Sequence, residues 1–148
     1  LPVKGKLQVT ALANNVIAIM QPVLKENGIQ LNNAIVLEQW LLADEQQLEQ
    51  VLINLITNSI YALKGKTEKV ITLSAELQNN RLFIRVTDNG HGIEKEIEDK
   101  IFMPFFTTRK QGAGIGLTLS KNIIEGHGGY LNYNHTDGLT NFIICLVL

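Results

Sequence analysis

The run Asp88-Asn89-Gly90-His91-Gly92 sets a carboxylate beside two residues that carry no side chain. An ionised carboxylate accepts hydrogen bonds and donates none, so it suits the exocyclic amino group of adenine and would be mismatched with the carbonyl oxygen of guanine. Gly90 and Gly92 let the backbone turn sharply and let a flat ring come close. The same pentapeptide is also ordinary turn chemistry, because Asp, Asn and Gly are the residues of tight turns. Two further clusters bear on the choice.

The first is a polar, uncharged stripe, Gln47, Gln50, Asn54, Asn58 and Tyr61, at spacings of three and four beside an apolar face of Leu48, Val51, Leu52, Leu55, Ile56 and Leu63. Asn inside a helix costs about 0.5 kcal/mol relative to Ala, so two of them one turn apart need a reason. One reason is a pair of buried amides bonding neighbouring backbone. The other is a metal with its phosphates. Magnesium takes oxygen ligands, keeps several waters and shares the phosphates of its nucleotide, so one carboxamide oxygen projecting from a helix suffices.

The second cluster is Phe102-Met103-Pro104-Phe105-Phe106-Thr107-Thr108-Arg109-Lys110, followed by Gly112-Ala113-Gly114-Ile115-Gly116-Leu117. Its aromatic part can serve as core filler at the base of a loop, and its glycines as a flexible connection. Glycines at every second position also free the backbone to wrap phosphates, and the loop runs into a helix whose N-terminal amides favour negative charge. Arg109 and Lys110 stand just before it, placed to meet a terminal phosphate.

The elements that must position these groups follow from periodicity and punctuation. A helix is expected from about Val9 to Asn27, kinked at Pro22 and stopped by Gly28, then short strands at Ile29 to Leu31 and Ile35 to Leu42. Asp44 should cap a helix from about Glu45 to Lys64, closed by Gly65. Val70 to Leu77 and Arg81 to Thr87 read as a hairpin around Asn79-Asn80. Leu82, Ile84 and Val86 alternate with Phe83, Arg85 and Thr87, so Asp88 emerges at a strand end. After a loop-rich stretch from Ile93 to Gly114, a helix runs from about Ile115 to Glu125 and ends at Gly128-Gly129. Two last strands, Tyr130 to Asn134 and Thr140 to Leu148, meet at Asp137-Gly138. The pattern predicts one domain, residues 1–148, an α/β (α+β) sandwich with a mixed, mostly antiparallel sheet of about five strands covered on one face by three helices. Residues 1–8 read as linker.

Composition narrows the partners. A net charge of −1 over 148 residues offers no field for gripping polynucleotide, so nucleic acid is excluded as a partner. The single cysteine, Cys145, lies in an apolar strand, and no Cys/His cluster points to zinc. No apolar run approaches the roughly 18 residues that would span a bilayer, so direct membrane contact is not expected. Leu1 in place of Met suggests a fragment of a longer chain.

Four ordered segments, Asn54-Leu55-x-x-Asn58, Asp88-x-Gly90-x-Gly92, Phe102-x-Pro104-Phe105-Phe106-Thr107-Thr108 and Gly112-x-Gly114-x-Gly116-Leu117, together resemble the N, G1, F and G2 boxes of sensor histidine kinases, in the Pro-Phe-Phe-Thr-Thr subgroup. The resemblance covers nearly the whole chain. It implies the Bergerat ATP-binding fold of the GHKL superfamily, with ATP and magnesium as ligands. Residue by residue, it implies Asp88 on adenine, Asn58 on magnesium and Asn54 near the phosphates. It also implies Tyr61, Gly90, Gly92, Ile93, Phe102, Thr107, Thr108, Arg109, Lys110, Gly112, Ala113, Gly114, Ile115, Gly116 and Leu117 around the nucleotide. The segment from about Glu94 to Gly114 becomes an ATP lid, and the stretch from about Lys95 to Ala113 is expected to be poorly ordered without nucleotide. Ser59 departs from the usual Ala after the second Asn, and Arg109 from a frequent Lys, a planar fork in place of a point charge.

Hydrolysing relatives carry a Glu one turn before the magnesium-binding Asn, able to activate water as a general base; here that residue is Asn54, an amide. The site should therefore hold ATP and deliver its γ-phosphoryl group to a histidine, with Asn54 and Arg109 as catalytic residues acting through positioning and charge. His91, His127 and His135 lack the setting of a phospho-accepting box. The chain thus reads as a protein-histidine kinase catalytic domain, inactive for autophosphorylation alone. The implied partners are the histidine-bearing dimerisation domain of the same homodimeric kinase, contacted through Phe102 to Phe106, and a downstream response regulator. The expected location is cytoplasmic, with membrane attachment of the parent kinase left open. Two rival readings are an ATP-hydrolysing clamp of the same fold and a non-catalytic nucleotide-sensing module.

Overall fold

The computed structural model describes residues 1–103 and 116–148. The expectations placed on Pro104, Phe105, Phe106, Thr107, Thr108, Arg109, Lys110, Gly112, Ala113, Gly114 and Ile115 lie outside the described residues.

The chain runs β1 (Gly5–Gln8), α1 (Val9–Glu26), β2 (Gln30–Asn33), β3 (Trp40–Ala43), α2 (Glu45–Ala62), β4 (Val70–Gln78), β5 (Arg81–Asp88), a short 3-10 segment (Lys95–Lys100), α3 (Gly116–Gly126), β6 (Tyr130–Thr136) and β7 (Leu139–Val147). Five strands form one sheet in the order β2-β4-β5-β7-β6. The β2–β4 pair is parallel and the other pairs are antiparallel. The helices pack on one face, α2 against β5 and α3 against β6 and β7, which is the two-layer sandwich the periodicity predicts.

Local chemistry explains the turns. Asn79 and Asn80 have φ of 53° and 60°, and Asp137 and Gly138 have 56° and 76°. Two successive positive φ angles match the twist of a tight hairpin, and Asn, Asp and Gly tolerate them best. At the start of α2, one Asp44 oxygen accepts from the Gln47 amide at 3.1 Å and the other from the Val3 amide at 2.8 Å. These bonds hold the Asp44 carboxyl below its ordinary pKa, Val3 contributing most. Leu48, Val51, Leu52, Leu55 and Ile56 of α2 and Leu82, Ile84 and Val86 of β5 are buried in one core.

Two expectations change. Residues 5–8 are not linker: they form β1, paired antiparallel with β3 in a separate ribbon where Leu7 meets Leu41. The strand expected from Ile35 to Leu42 is only Trp40–Ala43. Asn33 Oδ1 accepts from the Ile35 amide at 3.1 Å, and this local side-chain bond takes a donor that a strand would give to its neighbour. The helix expected through Pro22 is present as Val9–Glu26.

Candidate functional site

The alternation of β5 carries one step past its last aliphatic residue. Leu82, Ile84 and Val86 face the helices, and the same parity places Asp88 on that face with 2% of its surface exposed. A carboxylate on a core face is costly unless it is hydrogen-bonded. Asp88 Oδ1 accepts from the Gly90 amide at 2.8 Å. Burial pushes the Asp88 pKa up, while Ser59, the Gly90 amide and the charge of His135 pull it down. Ser59 Oγ is itself buried without a well-formed hydrogen bond, so its support for the ionised carboxylate is weaker than that of a made bond. The pentapeptide is thus a turn as well as a candidate site.

The loop after Asp88 is fastened from several sides. Asn89 Oδ1 accepts from the Val70 amide at 2.8 Å and Asn89 Nδ2 donates to the Glu68 carbonyl at 2.9 Å, so its carboxamide substitutes for a strand neighbour. A Cβ at Gly90 would stand 2.8 Å from Asp88 Oδ1 and 2.9 Å from the Ala62 carbonyl oxygen. Gly92 has φ of 78°, and the His135 imidazole fills the space its Cβ would need. The Ile93 amide donates to the Tyr133 hydroxyl at 2.8 Å. His91 is exposed.

The polar stripe of α2 divides. Gln50 Nε2 donates to Asn54 Oδ1 at 2.9 Å, and Asn54 Nδ2 donates to the Gly116 carbonyl and to Ser120 Oγ, both at 3.3 Å. Asn54 is therefore a strut between α2 and α3. Asn58, one turn on, is partly buried and its carboxamide bonds no other described side chain. Tyr61 lies beyond it with Lys64 Nζ 4.9 Å from its ring centroid. Phe102, Ile93 and Leu117 pack against the core, and Thr118 Oγ1 donates to the Phe102 carbonyl at 2.8 Å, joining that segment to the first turn of α3.

Sequence reasoning missed the contribution of β6 and β7. Thr140 pairs directly across from Asp88, and His135 across from Thr140, so Asp88, Thr140 and His135 form one row over three strands. The hint lay in the alternation of Leu131, Tyr133 and His135 down a strand that had been expected to stop at Asn134. His127, by contrast, is structural. Its Nε2 accepts from the Asp44 amide at 3.0 Å while Nδ1 faces the Ile123 carbonyl at 2.8 Å and must carry the proton. A cavity of about 270 Å³ between Trp40, His127 and Leu148 contains none of the expected site residues. Among the described residues no three His, Cys, Asp or Glu side chains gather as a metal cluster.

Comparison with known proteins fits this geometry. The family described as histidine kinase-, DNA gyrase B-, and HSP90-like ATPase matches residues 43–148. The sensor histidine kinase ZraS of Salmonella typhi is 41% identical over 96 residues, 65% of this chain and 20% of that protein. The sensory histidine kinase/phosphatase NtrB of Salmonella typhimurium is 33% identical over 112 residues, 70% of this chain and 32% of its own length. Among solved structures, the nucleotide-free catalytic domain of histidine kinase ThkA superposes with a TM-score of 0.88 at 29% identity, covering 97% of this chain and 95% of that one.

The chain belongs to the histidine kinase-, DNA gyrase B- and HSP90-like ATPase family. Within it, the chain is a nucleotide-binding catalytic domain of the sensor histidine kinase type, with the Bergerat fold, and its signalling context is the two-component system. It spans about a fifth of the length of the ZraS relative.

Proposed function

We propose that this domain binds Mg-ATP and transfers the γ-phosphoryl group to a histidine nitrogen on the dimerisation domain of its parent kinase. The observation that carries the reading is Asp88: a carboxylate on the buried face, one oxygen held by the Gly90 amide, in a loop whose two glycines let Ala62 and His135 close in around it. Its second oxygen would accept from the adenine amino group. The carboxamide of Asn58, which bonds no side chain among the described residues, fits magnesium, which asks for few protein ligands when phosphates supply the rest. The ion would supply charge neutralisation of the phosphates.

Asn54 supports transfer over hydrolysis. An amide already engaged by Gln50, Gly116 and Ser120 neither takes a proton from water nor swings free to do so. Arg109 and Lys110, with Thr107, Thr108 and Gly112 to Ile115, would line the phosphates, and Gly116 and Leu117 would begin the anion-favouring helix end. In the reaction the bond from the γ-phosphorus to the bridging oxygen breaks, a bond to the imidazole nitrogen forms, and ADP leaves. The parent kinase is proposed to be a cytoplasmic-facing homodimer that passes the phosphoryl group to a response regulator. ThkA has been solved in complex with the response regulator protein TrrA. No helix among the described residues is long and apolar enough to cross a membrane. Calorimetric titration with ATP and GTP, with and without magnesium, tests the reading; equal affinity for both nucleotides contradicts it.

A further inference from the structure

The exposed edge strand of the sheet reaches into the site. β6 presents Tyr133 and His135, two residues apart and therefore on the same face, to the loop that follows Asp88. The Tyr133 hydroxyl accepts from the Ile93 amide at 2.8 Å and its ring packs against Phe142 with centroids 5.3 Å apart, so the hydroxyl has a fixed seat. His135 makes two contacts at once. Its ring covers Gly92, whose φ of 78° is open to glycine, and its Nδ1 lies 2.9 Å from Thr140 Oγ1, the residue directly opposite Asp88.

We propose that His135 is a positioning residue of the nucleotide site: it holds Gly92 and the Thr140 hydroxyl in register with Asp88 and so sets the shape of the surface that receives the base. This rests on the reading of Asp88 as the adenine acceptor. Two constraints make the seat specific. A Cβ at residue 92 would overlap the His135 ring, so a larger residue there would displace the imidazole from its seat. A hydroxyl has a single proton, so the ring nitrogen's role as donor or acceptor decides where the Thr140 proton points. The strand therefore reaches the base surface through both the loop backbone and the Asp88 row. Tyr133 secures the far end of the same loop through the Ile93 amide.

Substituting His135→Ala tests this by calorimetry with ATP, adenosine and inorganic tripolyphosphate. Affinity for ATP and adenosine should fall together by about five- to tenfold, the size of one lost hydrogen bond with its packing, while tripolyphosphate is unaffected. His135→Asn, whose carboxamide can reach Thr140, should recover affinity to within about twofold. A folded His135→Ala domain that binds ATP as tightly as the parent overturns the inference, as does an equal loss for tripolyphosphate. Should that variant not fold, Tyr133→Phe, which deletes only the hydroxyl receiving Ile93, must show the same base-selective loss, and its absence is equally contrary. Asp88→Asn titrated alongside separates the failures. Loss there with none in His135→Ala removes this inference alone; loss in neither removes the base site with it.

Discussion

Asp88 and Gly90 are joined by a hydrogen bond from the glycine amide to carboxylate Oδ1 at 2.8 Å, inside a surface that is almost wholly buried. The bond uses Oδ1; in the proposed reading the other oxygen accepts from the adenine amino group. Asp88→Asn presents an amide to the adenine amino group and should weaken ATP binding by about 1.5–3 kcal/mol, the range for a lost charge-assisted bond. Unchanged affinity by calorimetry would take Asp88 out of the site.

The pH dependence has opposite signs for folding and for binding. Burial raises the Asp88 pKa from 3.8, so the folded domain holds this proton more firmly than the unfolded chain. The contribution of Asp88 to stability is full below 3.8 and is lost as pH rises through the raised folded value. ATP instead favours the ionised form, so affinity should fall as pH drops through that same value. In Asp88→Asn this slope should vanish; a slope that persists assigns it to another group.

Gly90→Ala places a Cβ 2.9 Å from the Ala62 carbonyl, a backbone atom that cannot swing aside. Overpacking of this kind costs about 1–3 kcal/mol, and the displaced loop should lose ATP affinity as well. Denaturation and titration of the same sample measure both. A variant unchanged in both would mean that the α2 end and the Asp88 loop do not touch.

Asn54→Asp removes the donor that serves the Gly116 carbonyl and Ser120 and leaves a carboxylate facing a carbonyl oxygen. A loss of about 0.5–1.5 kcal/mol is expected, the net worth of the hydrogen bond that the amide donates across the two helices. Equal stability of the two proteins in urea would deny the strut between α2 and α3.

How far the sequence could be read depended on whether the signal was local. The Asp44 cap, the Asn79-Asn80 turn and the strand parity ending at Asp88 are each written within a few residues, and all three were read correctly. Asn54 and Asn58 look alike in sequence because their difference lies in α3, more than 60 positions beyond Asn54, which engages the Asn54 amide and not that of Asn58. β1 escaped because four residues carry too little alternation, and its partner β3 arrives only after the whole of α1. The row from Asp88 through Thr140 to His135 depends on the register of three strands, which no local pattern states.

Asn58→Ala separates the metal role from a structural amide. If the oxygen binds magnesium, the substitution should weaken ATP binding with the metal present by more than it weakens binding of nucleotide alone. Titrations with and without magnesium give the comparison, and an equal loss in both speaks for an amide that merely packs.

The central claim is phosphoryl transfer to a histidine outside this chain, and radiolabelled Mg-ATP with an acid-stability check measures it directly. The domain alone should bind ATP, hydrolyse it very slowly and take up no label. With the helical dimerisation domain proposed for its parent kinase added as a separate polypeptide, label should appear on that added piece and be lost in acid, as phosphohistidine is. Acid-stable label on this chain alone would contradict the histidine mechanism and point to a serine kinase of the same fold.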